Sequence, residues 1–326
     1  MELLTVNNNI INQVVSKNDI TIPRNPFIES NTKEVSIKHL RQDCIVPVFS
    51  KDMECTIANH EFIEAVEDSV QTIYKGQNIS LPVQRVSHVV KGRTAEAIGK
   101  PVKDLLEHEK TLYYERLMLK IDIPSITANI GGNKLSLSVA GVRSYNRQNL
   151  YSKKSMEKFA VCIGFQNMVC TNLCINSDGI VQELRASTIE ELKVKIMDLL
   201  GRYEMQNHLN SLKLLSDLKL NEQQFAKVLG KCRMYNFLPK HEKKGVPELL
   251  LNDGQINAVA KGYYEDENFA READGNISLW KVFNLLTGSV KSSYIDTFLG
   301  RSVNAHELVL NIGNSIKNQT ANWFLN

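Results

Sequence analysis

Two spacings of apolar residues divide this 326-residue chain. Phe62, Ile63, Val66, Val70 and Ile73 recur at helical spacing, with Asn59 at the cap position and Gly76 past the end, which predicts an amphipathic helix. Pro101 suits the first turn of a second helix running through Leu105 and Leu106. The period then drops to two. RLMLKIDIPSI (residues 116–126), KLSLSVAGV (134–142) and FAVCIGFQNMVCTNLCI (159–175) alternate, and Gly131-Gly132-Asn133 offers a turn between the first two. This predicts an antiparallel meander with one buried face.

Beyond Ala186 helical spacing returns. Thr188 and Glu191 fit a capping box ahead of Leu192, Ile196, Leu199, Leu200 and Tyr203. Asn221 with Gln224 fits another, with Leu220 and Phe225 placed for a hydrophobic staple. Later helices are expected from Ser278, through Trp280, Phe283 and Leu286, and from Asn304. The expected fold is α+β: an antiparallel β-meander with flanking helices, then a mostly helical C-terminal half. The expected division is an Asn-rich arm (1–30), an α+β domain with an antiparallel sheet (31–186) and a helical domain (187–326).

Composition narrows the function classes. Apolar residues make up 43% of the chain and charged residues 23%, ordinary values for a chain that buries its own core. No apolar run approaches 18 residues, so no membrane span is expected. The opening MELLTVNNNIINQVVSKNDI lacks a basic leader region, and six cysteines are too sparse for a disulfide scaffold. A cytoplasmic location with free thiols is the expectation.

Three of those cysteines, Cys162, Cys170 and Cys174, fall in the third alternating stretch. If extended, it turns Phe159, Val161, Ile163 and Phe165 to one side and Ala160, Cys162, Gly164 and Gln166 to the other. Seventeen residues are too many for one strand, so a turn or bulge is expected near Gln166-Asn167. On a small-residue face a cysteine packs as a small hydrophobe. The spacing lacks the second ligand pair of a zinc site, and an alternating apolar strand is a poor setting for a thiolate. Neither a metal nor any other cofactor is expected. Phosphate loops, dinucleotide fingerprints, zincin helices, nucleophile elbows and the zinc-deaminase signature are all missing, so no catalytic residue is assigned.

Charge is more informative locally than in total. The net charge is +3, yet residues 91–158 hold 13 Lys+Arg against 7 Asp+Glu. Within them VRSYNRQNLYSKK sets Arg143, Arg147, Lys153 and Lys154 around Tyr145 and Tyr151. Cations for phosphates and rings for bases are the means of single-strand binding. Arg85, Lys91 and Arg93 add candidate phosphate contacts. A second basic run, residues 227–244, holds 6 Lys+Arg against 1 acid, and residues 248–274 hold 7 acids against 2 basic residues. These basic and acidic stretches can also neutralise one another within the fold.

The runs FIESNTKEVSIKHLRQDCIVPVFSKDMECTIANHEFIEAV (27–66) and RVSHVVKGRTAEAIGKPVKDLLEHEKTLYYER (85–116) resemble an uncharacterised bacterial family, domain-of-unknown-function family 3871, from about Pro26 to Ile312. A more distant resemblance is to the phage- and plasmid-associated domain-of-unknown-function family 932. It rests on Ser144-Tyr145-Asn146, on Met168-Val169-Cys170-Thr171-Asn172-Leu173, and on Trp280 with Asn284. Tyr145 and Asn146 stand where that family usually has His and Asp, which weakens an acid-base role there. The resemblance implies the company of mobile elements and no particular activity. The leading expectation is a non-enzymatic protein whose partner is single-stranded nucleic acid, bound through the 143–158 region. The alternative is a scaffold whose partner is another protein.

Overall fold

The alternating stretches fold as neighbouring antiparallel strands of one sheet. The computed structural model describes residues 26–44, 57–97, 99–145 and 156–326. In chain order the strand-rich part contains β1 (Lys33–Glu34), α1 (Ile37–Gln42), α2 (Asn59–Ile73), β2 (Val83–Val86), β3 (Val89–Arg93), β4 (Lys110–Tyr114), β5 (Arg116–Ile130), β6 (Asn133–Ser144), β7 (Glu157–Asn167), β8 (Leu173–Cys174) and β9 (Ile180–Ala186). The helix-rich part follows: α3 (Ile189–Arg202), α4 (Met205–Asp217), β10 (Lys219–Leu220), α5 (Glu222–Phe237), α6 (Lys240–Lys243), α7 (Asp253–Glu265), β11 (Ile277–Ser278), α8 (Leu279–Val290) and α9 (Ile295–Asn318). The fold is α+β.

The sheet order is β1-β2-β5-β6-β7-β8, with β9 also on β7, and every pairing is antiparallel. Gly131 and Gly132, both at positive φ, make the tight turn from β5 to β6. A Cβ on Gly131 would also run into the indole of Trp280, so this turn requires glycine twice over.

Residues 135–144 of β6 and 159–167 of β7 are buried without a break, so both faces of the sheet are covered, not one as expected. The bulky face meets α2, where the Phe62 ring lies 4.8 Å from that of Phe159. The small face, at Val142 and Ala160, meets the first turns of α9 across a cleft of about 230 Å³. The expected turn in the cysteine stretch is present. β7 ends at Asn167, and β8 folds back on it with Cys174 opposite Phe165. Cys162 and Cys174 are buried as small core residues, and Cys170 lies in the turn.

Several boundaries differ from the sequence expectation. The helix expected from Pro101 is a pair of 3-10 turns, Val102–Asp104 and Glu107–Glu109. Val102 and Leu106 are exposed there, so no apolar stripe draws the segment into a longer helix. The cap of α2 is Ala58, whose N–H donates to the Glu61 carboxylate, and Asn59 is already inside the first turn. Asn304 caps nothing. It lies within α9, accepts from the Leu250 N–H at 2.8 Å and donates to the Glu248 carbonyl at 2.8 Å. Residues at the end of the expected arm are bound into the body: Phe27 and Ile28 are buried, and the Glu29 and Ser30 amides donate to the Lys291 carbonyl.

The change from strands to helices falls between β9 and α3, and one hydrophobic core runs continuously across it from Phe27 to Phe324. No helix among the described residues is long and apolar enough to cross a membrane.

Candidate nucleic-acid interface

Arg143 continues the series Leu135, Leu137, Val139, Gly141 on the bulky face of β6, and this places it in the interior. Its side chain has no solvent exposure. The guanidinium donates to the Ile57 carbonyl and to the Glu157 carboxylate, and it lies 4.4 Å from the Tyr145 ring centroid and 4.9 Å from that of Phe159. Glu157 also accepts from the Ile57 N–H at 2.8 Å. Burial pushes the Glu157 carboxyl up, and the neighbouring guanidinium opposes that shift. Tyr145 is 3% exposed, meets Tyr113 edge-on at 5.7 Å, and has its phenol pushed up to about 12 by burial.

Arg143 and Tyr145 therefore offer neither a phosphate contact nor a stacking face, which corrects the expectation for both. They form a buried cation held between two rings and a carboxylate. Arg85 is likewise engaged, donating to the side chain and carbonyl of Thr32 at 2.9 and 2.8 Å. Arg93 donates to the Lys100 carbonyl. Lys91 is exposed on β3, opposite Leu112. Asn146, Arg147, Lys153 and Lys154 lie outside the described residues.

The second group of resemblance residues does converge. Asn284 on α8 accepts at its Oδ1 from Asn167 Nδ2 at 3.0 Å and from the Cys170 thiol at 3.7 Å. Its carbonyl accepts from Asn172 Nδ2 at 2.9 Å, and its own Nδ2 donates to the Trp280 carbonyl at 2.9 Å. Trp280 Nε1 donates to Asn133 Oδ1 at 2.8 Å. Lys291 closes the group by donating to the Cys170 carbonyl and to Thr171 Oγ1.

Burial is the main cause of both pKa shifts here, pushing the Cys170 thiol up to about 11 and the Lys291 ammonium below the usual lysine range. A protonated thiol among amides is a hydrogen-bonding joint between the β7–β8 turn and α8. Ser144 is buried at the opposite end of β6. Asn167 stands opposite Leu135, nine residues along from Ser144, a separation of about 30 Å at the usual rise of a strand. Ser144 and Asn172 therefore belong to no common site.

The remaining basic run has the geometry of a surface. Phe225, Val228, Cys232 and Tyr235 face the core from α5, leaving Lys227 and Arg233 exposed on its outer side, with Lys240 and Lys244 exposed just beyond. Among the described residues none of these four makes an ion pair. Lys231 sits 4.8 Å over the Trp323 ring and Lys243 4.8 Å over the Tyr235 ring, contacts that locate an ammonium without cancelling its charge. The acidic stretch takes its ion pairs elsewhere, Glu272 with Lys219 at 2.6 Å and Glu265 with Lys261 at 3.5 Å, and where Asp253 meets the basic run it accepts from the uncharged Asn236 at 2.8 Å. Among the described residues the two oppositely charged stretches form no ion pair with each other. Nor do three or more His, Cys, Asp or Glu side chains among those residues converge as metal ligands.

The chain matches, over residues 5–325, the profile of the family described as "Domain of unknown function, B. Theta Gene description (DUF3871)". The chain belongs to this family. The matched span takes in every strand and helix described above, so the polar joint at Asn284 and the basic face of α5 both lie within the DUF3871 region. No curated protein and no solved structure matches the chain.

Proposed function

We propose that this DUF3871 protein is a non-enzymatic, cytoplasmic binding protein of a mobile element whose ligand is single-stranded nucleic acid. The observation that carries the proposal is the uncompensated charge at α5 and α6. Residues 227–244 hold 6 Lys+Arg against 1 acid, and their exposed cations have no acidic partner among the described residues. A localised positive face on a chain of net charge +3 draws a polyanion to that face rather than to the whole surface. Lys91, Arg147, Lys153 and Lys154 keep a place in the proposal as secondary phosphate contacts. Arg143, Tyr145 and Arg85 do not. The mobile-element setting rests on the likeness to family 932.

The test is fluorescence anisotropy of a labelled oligonucleotide at low salt. Binding that weakens linearly on a log–log salt plot is expected, and its absence at low salt contradicts the proposal. A second reading, docking of another protein, is favoured by Met234 and Phe237, which are exposed on the same face. It predicts recovery of a stoichiometric protein partner free of nucleic acid.

A further inference from the structure

We infer that the outer side of α5 is a stacking strip for single-stranded nucleic acid, with Phe237 as the ring on which a base stacks. This rests on the nucleic-acid reading above and adds the residue that selects single strands over duplex. Residues 223, 226, 230, 233 and 237 follow one another at helical spacing along the side of α5 that faces away from the core. The strip from 226 to 237 is about 17 Å long.

At its end Phe237 is 80% exposed and Met234 beside it is 59% exposed, the two most solvated large apolar residues of α5. A single exposed aromatic is common on protein surfaces. Here Arg233 stands one turn before it and Lys240 three residues after it, both exposed and without an acidic partner among the described residues. At the middle of the strip, Gly230 has open space where a Cβ would be. Glycine weakens a helix interior, and no described neighbour requires it at this position. Its effect is a flat stretch between Lys227 and Arg233, shallow enough for a sugar-phosphate backbone to lie against the helix.

The two kinds of contact make separable demands. Phosphates satisfy the cations whether the nucleic acid is single- or double-stranded. A base offers its face to Phe237 only when it is outside a duplex stack. The strip therefore binds both forms through charge and prefers the single strand through the ring.

The experiment compares a labelled single-stranded oligonucleotide with a duplex of equal length, by anisotropy at several salt concentrations, for the full chain and for Phe237→Ala and Phe237→Tyr. Phe237→Ala is expected to weaken single-strand binding about 5- to 150-fold, the effect of removing one stacked base. Its duplex affinity and salt slope should be unchanged, and Phe237→Tyr should bind as the unaltered chain does. The side chain is exposed, so melting temperature should not move. Equal single-strand affinity in Phe237→Ala, or equal weakening on single strand and duplex, overturns the stacking assignment while leaving the charge-based function standing. No binding of either form by the unaltered chain at low salt overturns both.

Discussion

Arg143 is the residue on which sequence and structure differ most. From its neighbours in sequence, Ser144, Tyr145 and Arg147, it reads as part of a solvent-facing basic loop. From its register it reads as core, because it follows Leu135, Leu137, Val139 and Gly141 on one face and stands opposite Phe159. That signal was present in the alternation and needed only one more step along the strand. Its charge is balanced by Glu157 and by the faces of two aromatic rings. Removing one partner of such a buried pair leaves the other charge uncompensated, so Arg143→Ala is expected to destabilise the fold by about 3–5 kcal/mol in urea denaturation. Lys240→Ala, at an exposed site, should leave stability unchanged. An Arg143→Ala protein as stable as the unaltered chain but deficient in oligonucleotide binding would contradict this placement.

At the scale of elements, His208 on α4 and His306 on α9 meet in the core at 5.4 Å between ring centroids, with Phe165 from β7 and Phe283 from α8 against them. Tyr203 hydrogen-bonds His208 at 2.6 Å and Ser211 hydrogen-bonds His306 at 3.1 Å, and no carboxylate among the described residues pairs with either ring. Burial lowers His306 to about 4 and His208 well below the ordinary histidine value of 6.5. The unfolded chain therefore takes up protons between about pH 6.5 and pH 4 that the folded chain refuses. Stability is intact above that window and falls as pH drops through it, by about 3 kcal/mol for His306 alone. Denaturation measured from about pH 7 to about pH 4 should show this decline, and it should be shallower in His306→Asn. A flat profile would contradict the buried, neutral pair.

The elements themselves were unevenly legible. Period-two runs gave β5, β6 and β7, and the caps Thr188 and Asn221 gave the starts of α3 and α5. The full capping box forms at Asn221 and Gln224, while the Glu191 carboxylate takes the Ser187 N–H instead. Asn304 misled because an asparagine that holds a distant backbone has the same letter as one that caps a helix. The stretch around Pro101 misled because a fitting first residue does not make a helix without an apolar stripe behind it. The joint of Asn167, Cys170, Asn172 and Asn284 brings together residues more than a hundred positions apart. Only the resemblance grouped Cys170, Asn172 and Asn284, Asn167 lay outside it, and their hydrogen bonds give all four a part in joining sheet to helices.

Over the whole molecule, what distinguishes this DUF3871 chain is where its charge remains unpaired. Among the described N-terminal cations, Arg143 is engaged with Glu157, Arg85 with Thr32, Lys158 with Glu183 and Lys100 with Glu109. Lys227, Arg233, Lys240 and Lys244 have no acidic partner among the described residues, and no composition total reveals that difference. The decisive measurement is the salt dependence of oligonucleotide binding by the unaltered chain and by a variant with these four residues changed to Gln. The account predicts linear log–log plots, with weaker binding by the variant and a slope shallower by about 0.7 for each phosphate it no longer neutralises. Identical affinity and slope in the two proteins would contradict it.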